Sequence, residues 1–486
     1  MKRVNSYIIK SAMVLFLGLF GGCDEYLEEQ VFTEFDPDEF LQTEKGIEGV
    51  LIGAYDQLHT TSFFGRNVYF TLSEFPTDIT TESGGGFERT ALLYVNYEWD
   101  PAQGILASTW NQYYRAIRNA NSLLDNIGGV TALSEEQIAL FSAEASFIRG
   151  DAYYRLFDLF GPVPLVTSTE SLDFEPPRAT ESEIIDFIIS ELVSAADNLP
   201  ITVDQRGRAT RGAALAVLCK VYLNLGQWQA CADTAQEIIN LGEYSLFPDI
   251  ETLFAVENED NAEYIYVHPA TAQPQEGNVY MPHAFPPNFP IQDNWENFGA
   301  QFRTLTGFVN SFDPNDRRLN LILTEYTNTN GDFIELVEDD EGNPLDDARS
   351  FKYVPDPNAN ARWSGNDQPV IRYADILLAR AEALNELNGP NQESIDLINQ
   401  VRQRAGVAPL QLADFASTEQ LRDHILAERG WEFFSEGKRR QDLIRQGKLI
   451  SNAVERGKNA QDFRTLYPLP QREIDANPNL EQNPGY

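Results

Sequence analysis

The sequence predicts a mostly α-helical protein built from helix pairs, decorated by long irregular loops and short β-hairpins. Three observations carry that prediction. Apolar residues recur at i, i+3, i+4 and i+7 through several long segments. Glycines separate neighbouring segments of this kind at short spacing. Two stretches rich in proline and aromatics, about 63–99 and about 243–365, follow no helical period.

Composition sets the limits. Of 486 residues, 42% are hydrophobic and 12% aromatic, enough for one large core or for two to three ordinary domains. Only three cysteines occur, which excludes a disulfide-stapled fold. With 36 basic and 74 acidic residues the formal charge is −38, which argues against a nucleic-acid partner.

At the amino end Lys2, Arg3 and Lys10 precede the apolar run Met13 to Phe20, closed by Gly21-Gly22-Cys23. Residues 1–22 therefore read as an export signal, too short to span a bilayer. A cysteine after two glycines resembles a bacterial lipobox, with Phe20 where leucine is usual. That resemblance implies that Cys23 is lipidated and leads the mature chain. Residues 23–45 then form an acidic tether and lead-in.

Trp110, Tyr113, Tyr114, Ile117, Ala120, Leu124 and Ile127 predict a helix that Gly128-Gly129 ends. A second runs from about Ser134, a capping-box serine, to Phe160, where Gly161-Pro162 stops it. Thr180 to Glu183 repeats the cap ahead of Ile184, Phe187, Ile188 and Leu192. Arg211–Leu225 and Trp228–Leu241 form a close pair around Gly226, and Ile371–Leu387 and Ser394–Arg404 another. Leu421–Glu436 leads into Arg439–Gln446. Helix pairs of about 34 residues are the tetratricopeptide (TPR) signature, so a TPR-like scaffold is expected over about 105–241 and 370–446. Cys219 and Cys231 should pack, buried, on adjacent helices. Tyr264 to Val267 suits a hairpin strand, and Glu428, Arg429, Glu432 and Arg439 suit paired charges locking two helices.

The chemistry is that of binding. His59, His268, His283 and His424 show no metal-ligand spacing, and no phosphate loop or nucleophile elbow occurs. No catalytic residue, metal or cofactor is therefore assigned. The acidic loop Glu335 to Asp347 lacks the EF-hand pattern and reads as solvated, which leaves a structural Ca²⁺ open. Aromatics in polar loops are the better lead, because a sugar ring offers one apolar face and a rim of hydroxyls. The first loop region holds Phe63, Phe64, Tyr69, Phe87 and Tyr94, with Arg66, Asn67 and Arg89. The second holds Phe285, Phe289, Trp295, Phe298 and Trp363, with Asp293, Asn294, Asn366 and Asp367. The candidate ligand-binding residues are Trp295, Trp363, Phe87, Arg89, Phe64, Arg66, Asn67, Asn294, Phe298 and Asp367. The competing reading is that these rings bury satellite cores beneath the loops.

Ile117-Arg118-Asn119-Ala120-Asn121, Ala143 to Gly150 and Phe160-Gly161-Pro162-Val163-Pro164-Leu165 are similar to motifs of a known family. So are Gly207 to Ala214, Arg372 to Leu378 with Ala381 to Asn385, and Asn399 to Arg402 with Arg404-Ala405-Gly406. Glu428-Arg429, Glu436 to Arg439 and Asn477 to Tyr486 complete the series. In number and order these motifs resemble the SusD/RagB-like outer-membrane lipoproteins of Bacteroidetes. The resemblance implies a single such domain over 46–486 in a surface-exposed, lipid-anchored outer-membrane protein without enzymatic activity. It implies capture of oligo- or polysaccharide and delivery to a SusC-like TonB-dependent transporter. The net charge favours a neutral glycan. Oligopeptide capture, or a TPR-like scaffold that binds only protein, are the alternatives. Binding tips vary in this family, so the site residues above come from loop chemistry and not from the resemblance.

Overall fold

The computed structural model describes residues 40–60, 68–171, 173–299 and 301–486. The export signal, Cys23, the tether up to residue 39, and the candidates Phe64, Arg66 and Asn67 lie outside the described residues. The long helices are α1 (Glu44–Thr60), α2 (Gly104–Asn126), α3 (Glu135–Phe160), α4 (Glu181–Asn198) and α5 (Arg211–Asn224). They continue with α6 (Trp228–Leu241), α7 (Tyr373–Asn388), α8 (Gln392–Ala405), α9 (Thr418–Phe433) and the short α10 (Arg439–Arg445). Each of α1 to α6 packs on the next, and α7 packs on α6 although the long excursion 243–372 separates them in sequence. Helices α8 and α9 then pack on α7. This is the expected TPR-like succession, continued across the excursion.

Local chemistry sets the helix ends. Ser134 Oγ accepts from Gln137 N at 3.2 Å and Gln137 Oε1 accepts from Ser134 N at 3.0 Å, the expected capping box. Thr180 and Glu183 repeat it on α4. Gly161, at φ +71°, ends α3 ahead of Pro162. Within α3 a side chain at Gly150 would meet Leu192 of α4 at 2.9 Å, so the glycine permits the close α3–α4 approach. Cys219 and Cys231 are free and buried on α5 and α6, their sulfurs 3.8 Å apart.

Three expectations need correction. The first irregular stretch contains two short helices, Val68–Glu74 and Glu88–Val95, and Tyr94 is fully buried against Trp99. Helix α1 is not among the predicted elements, although Ile47, Leu51, Ala54, Tyr55 and Leu58 form its buried stripe. The strand around Tyr264 forms no local hairpin. Eight short strands are described: β1 (Thr80–Glu82), β2 (Tyr264–His268), β3 (Phe302–Thr304), β4 (Ile322–Leu323), β5 (Glu325–Thr327), β6 (Phe333–Glu335), β7 (Arg349–Ser350) and β8 (Gln368–Arg372). They pair antiparallel as β1–β3, β2–β8, β4–β7 and β5–β6, so β2 finds its partner at the far end of the excursion.

A buried ion network joins that excursion to the carboxy-terminal helices. Glu432 of α9 accepts from Arg372 at 2.5 Å, from Arg318 at 3.1 Å and from Arg404. Arg372 also reaches Glu263 at 2.6 Å and Glu436 at 2.8 Å. Glu428 holds Arg318 and Arg402 at 2.7 and 2.8 Å, while Arg429 bridges Asp375 and Asp442. The charges Glu428, Arg429, Glu432 and Arg439 thus do not pair with one another as predicted. They reach residues outside the set, Glu428 and Glu432 sharing Arg318 and Arg439 reaching Asp78 at 2.8 Å. Burial alone would raise the Glu428 carboxyl, but Arg318, His424 and Arg402 together hold it down at about 2.

Glu432→Gln leaves buried guanidinium groups without their counter-charge and should cost ~3–5 kcal/mol in urea unfolding. Glu473→Gln, which removes the partner of the exposed Arg472, should cost under about 1 kcal/mol. Equal costs would contradict the network's role. Glu428 is depressed in the folded state, so its contribution is complete above its ordinary value of 4.5 and fades as pH falls towards about 2. An acid titration of unfolding free energy should show that loss, shrunken in Glu428→Gln.

Candidate functional site

The two irregular regions meet at the β1–β3 ladder, where Thr80 pairs with Thr304 and Glu82 with Phe302. Gly85, at φ +73°, lies against Gln301, and a side chain there would collide with the amide. Gln301 bonds His283, whose ring stacks on Phe302 at 4.6 Å and meets Phe298 edge-on at 4.7 Å. Burial lowers His283 to about 4 against the opposing pull of Gln301, so the ring is neutral. Phe87 is half-buried 6.3 Å from Phe75, and Arg89 is exposed without a charged partner among the described residues.

A second junction ties loop 286–299 to loop 354–366. Asn294 donates to Pro357 O at 3.1 Å and to Ala359 O at 2.9 Å, and Ala361 N donates to Asn294 O at 2.9 Å. The Trp295 indole donates to Asp356 O at 2.8 Å and lies nearly parallel to the buried Phe285, ring centres 5.4 Å apart. Asp356 closes its own loop by accepting from Asn358 N and Gly365 N, both at 2.7 Å. Arg362 crosses the junction to Glu296 at 2.9 and 3.0 Å and lays its guanidinium 5.0 Å over the Phe298 ring. Asn294, Asn360 and Arg362 are exposed.

Trp363 stands apart from the other rings. It is half-buried, and a side chain at Gly277 would come within 2.7 Å of its Cβ, so that glycine lets a neighbouring loop support it from behind. Its backbone pairs with Asn360. Among the described residues nothing accepts from its indole N–H and no ring stacks on it. Trp295 is a clamp between loops; Trp363, partly buried against the core, keeps an indole donor with no acceptor among the described residues.

Asp367 faces the interior instead of a ligand, at 2% exposure. It accepts from Ala270 N at 2.9 Å, and Arg206 lies 2.9 Å from its other oxygen. Arg206 also reaches Glu259 at 3.1 Å and Asp260 at 3.3 Å, so one guanidinium serves three carboxylates. Burial, then the neighbouring Asp367 charge, raises Glu259 to about 7, and burial raises Asp367 to about 6. Asn366 and Phe285 are buried as well, Asn366 bonding Phe254 O and Val354 O. Arg362, Glu296 and Asn360 were not predicted. Arg362 adjoins Trp363 in sequence, whereas its pairing with Glu296 leaves no sequence signal.

The sequence model of the SusD family matches residues 303–486. A second, described as starch-binding and associating with the outer membrane, matches residues 25–223. A SusD-like protein of Formosa agariphila is 28% identical, the alignment covering 96% of each chain. A SusD superfamily protein from Parabacteroides distasonis superposes with TM-score 0.79 at 25% identity, covering 91% of this chain and 99% of that one. A laminarin-binding SusD-like protein does so with TM-score 0.78 at 26% identity, covering 91% and 100%. Among the described residues no helix is long and apolar enough to cross a membrane.

Carboxyls raised by the fold favour stability below their ordinary values near 4, and that benefit is lost as pH rises through about 6 for Asp367 and about 7 for Glu259. Above that range the carboxylates depend on Arg206. Arg206→Ala should therefore lower the melting temperature more at pH 8 than at pH 5, and an equal drop at both would contradict the assignment.

Proposed function

The chain belongs to the SusD/RagB-like family, and on that premise we propose that it is a surface lipoprotein capturing oligo- or polysaccharide for a SusC-like TonB-dependent outer-membrane transporter. The observation that carries this reading is Trp363. It combines a partly exposed side chain, an indole donor with no acceptor among the described residues and the exposed polar neighbours Asn360 and Arg362. A pyranose stacks its C–H face on such a ring and turns its hydroxyls to the amides and guanidinium around it. Arg362 is neutralised by Glu296, which suits an uncharged sugar. Phe87 and Arg89 of the first loop are further candidate contacts in this reading. The role needs binding and release only, with no bond made or broken. Single-domain organisation over 46–486 and lipid attachment at Cys23 belong to the same proposal.

Support for a glucan as the first ligand to try comes from the laminarin-binding protein, similar in fold and 26% identical. Affinity electrophoresis of residues 24–486 in gels holding laminarin and other neutral or acidic polysaccharides tests the reading. Retardation by a neutral glycan is expected; no retardation by any of them overturns it. Trp363→Ala should weaken binding about tenfold or more, ~1.4 kcal/mol, at an unchanged melting temperature. Trp295→Ala should lower the melting temperature, because it removes a hydrogen bond and a ring stack from a loop junction. Undiminished affinity in Trp363→Ala would remove that residue from the site. Cys23→Ala should move the protein from the membrane fraction to the soluble one, and unchanged membrane residence would refute the anchor.

A further inference from the structure

An open groove of about 850 Å³ lies between residues 309–324 and the β5–β6 hairpin, within the roughly 300–1,000 Å³ of ordinary ligand sites. Phe312, Leu319, Val337 and Phe351 give it apolar walls in part, beside the polar Asn310, Asn320 and Thr324, and its charged lining residues are Glu325 and Glu335. Those two carboxylates sit directly opposite each other across the ladder. Both are exposed, and among the described residues neither has an ion-pair partner. Like charges at such a position destabilise a strand pair, and no described residue relieves them. The charge extends further, since residues 332–347 hold eight carboxylates and no basic residue. On the same outward face Phe333, opposite Thr327, is 60% exposed.

Charge complementarity selects a cationic occupant. The apolar walls select one with side chains to bury. A bare divalent ion fits poorly, because among the described residues no three His, Cys, Asp or Glu side chains converge to hold one. The acidic loop beside the hairpin is closed by its own turn, with Asp339 accepting from Asn343 N at 2.8 Å. The groove is also separate from the Trp363 loops. Phe351, which lines it, meets Phe285 and Phe289 at 5.8 and 5.4 Å, and no residue of loops 286–299 or 354–366 lines the groove.

We propose that this groove docks an extended polypeptide segment of a partner protein in which Lys or Arg alternates with apolar residues, the cations pairing with Glu325 and Glu335. The docking surface is independent of the glycan reading and stands or falls separately.

The probe is a fluorescein-labelled hexapeptide alternating lysine with leucine or valine, read by fluorescence anisotropy against residues 24–486. Binding should weaken with added salt, and a control peptide with glutamine for lysine should bind at least about tenfold more weakly. Glu325→Lys with Glu335→Lys, and separately Leu319→Asp, should each lose roughly tenfold or more, while glycan retardation in gels is unchanged. An unchanged melting temperature of each variant is the folding control. Absence of binding, equal binding of both peptides, or binding untouched by charge reversal overturns the proposal. So does calorimetric Ca²⁺ binding that is abolished in Glu325→Gln/Glu335→Gln, which would make the pair a cation site, or competition for the groove by a glycan.

Discussion

The Glu432 carboxylate, buried among Arg318, Arg372 and Arg404, is the interaction on which the arrangement of this protein depends. Two of its three partners, Arg318 and Arg372, come from the excursion 243–372, and Arg404 closes α8. Lys352, also from the excursion, pairs with Glu436 at 2.6 Å. Buried ion pairs are poor sources of net stability, since desolvation offsets much of their attraction. They are strict about geometry. A guanidinium in the interior has few acceptable positions, so the excursion has one seat on the helices.

That seat matters for binding. The excursion is long, poor in regular structure and rich in proline, a description that fits a mobile connector as readily as a platform. What converts it into a platform is a succession of clamps. Asn294, Trp295 and Asp356 bond loop to loop, Asn366 and Asp367 fix the base, and Arg362 braces Glu296 over Phe298. Loops already ordered lose little conformational entropy when a ligand arrives, so weak sugar contacts can register as affinity. The TPR-like helices serve as the rigid base.

The scaffold was largely legible because helices announce themselves by period and punctuation. Ser134, Thr180, Gly161 and Gly226 mark boundaries within a residue or two of the observed ones. Helix α1 carried the same signal and shows that a stripe flanked by loop-like sequence is easily passed over. The site was less legible. Sequence picks out aromatic and polar residues in loops but not which way they point, because loops have no period. Asp367 and Trp363 lie close in sequence and in similar polar surroundings, yet one is a buried clamp and the other is only partly buried. The pairings that decide this, Asn294 with Ala359 or Glu296 with Arg362, join positions too far apart for local spacing to reveal. The charges of α9 were recognised as an ion-pair set, but their partners come from the excursion and from neighbouring helices.

The proposed sugar site depends on the braced loops of the excursion presenting Trp363 as a sugar-binding ring. A crystal structure of residues 24–486 with the oligosaccharide that binds most tightly tests it most directly. The account expects a pyranose ring stacked on the Trp363 indole, with hydroxyls within hydrogen-bond distance of Asn360 or Arg362 and the loop backbone unmoved. A saccharide seated elsewhere, on the helices or in the acidic groove, with Trp363 untouched, would contradict it.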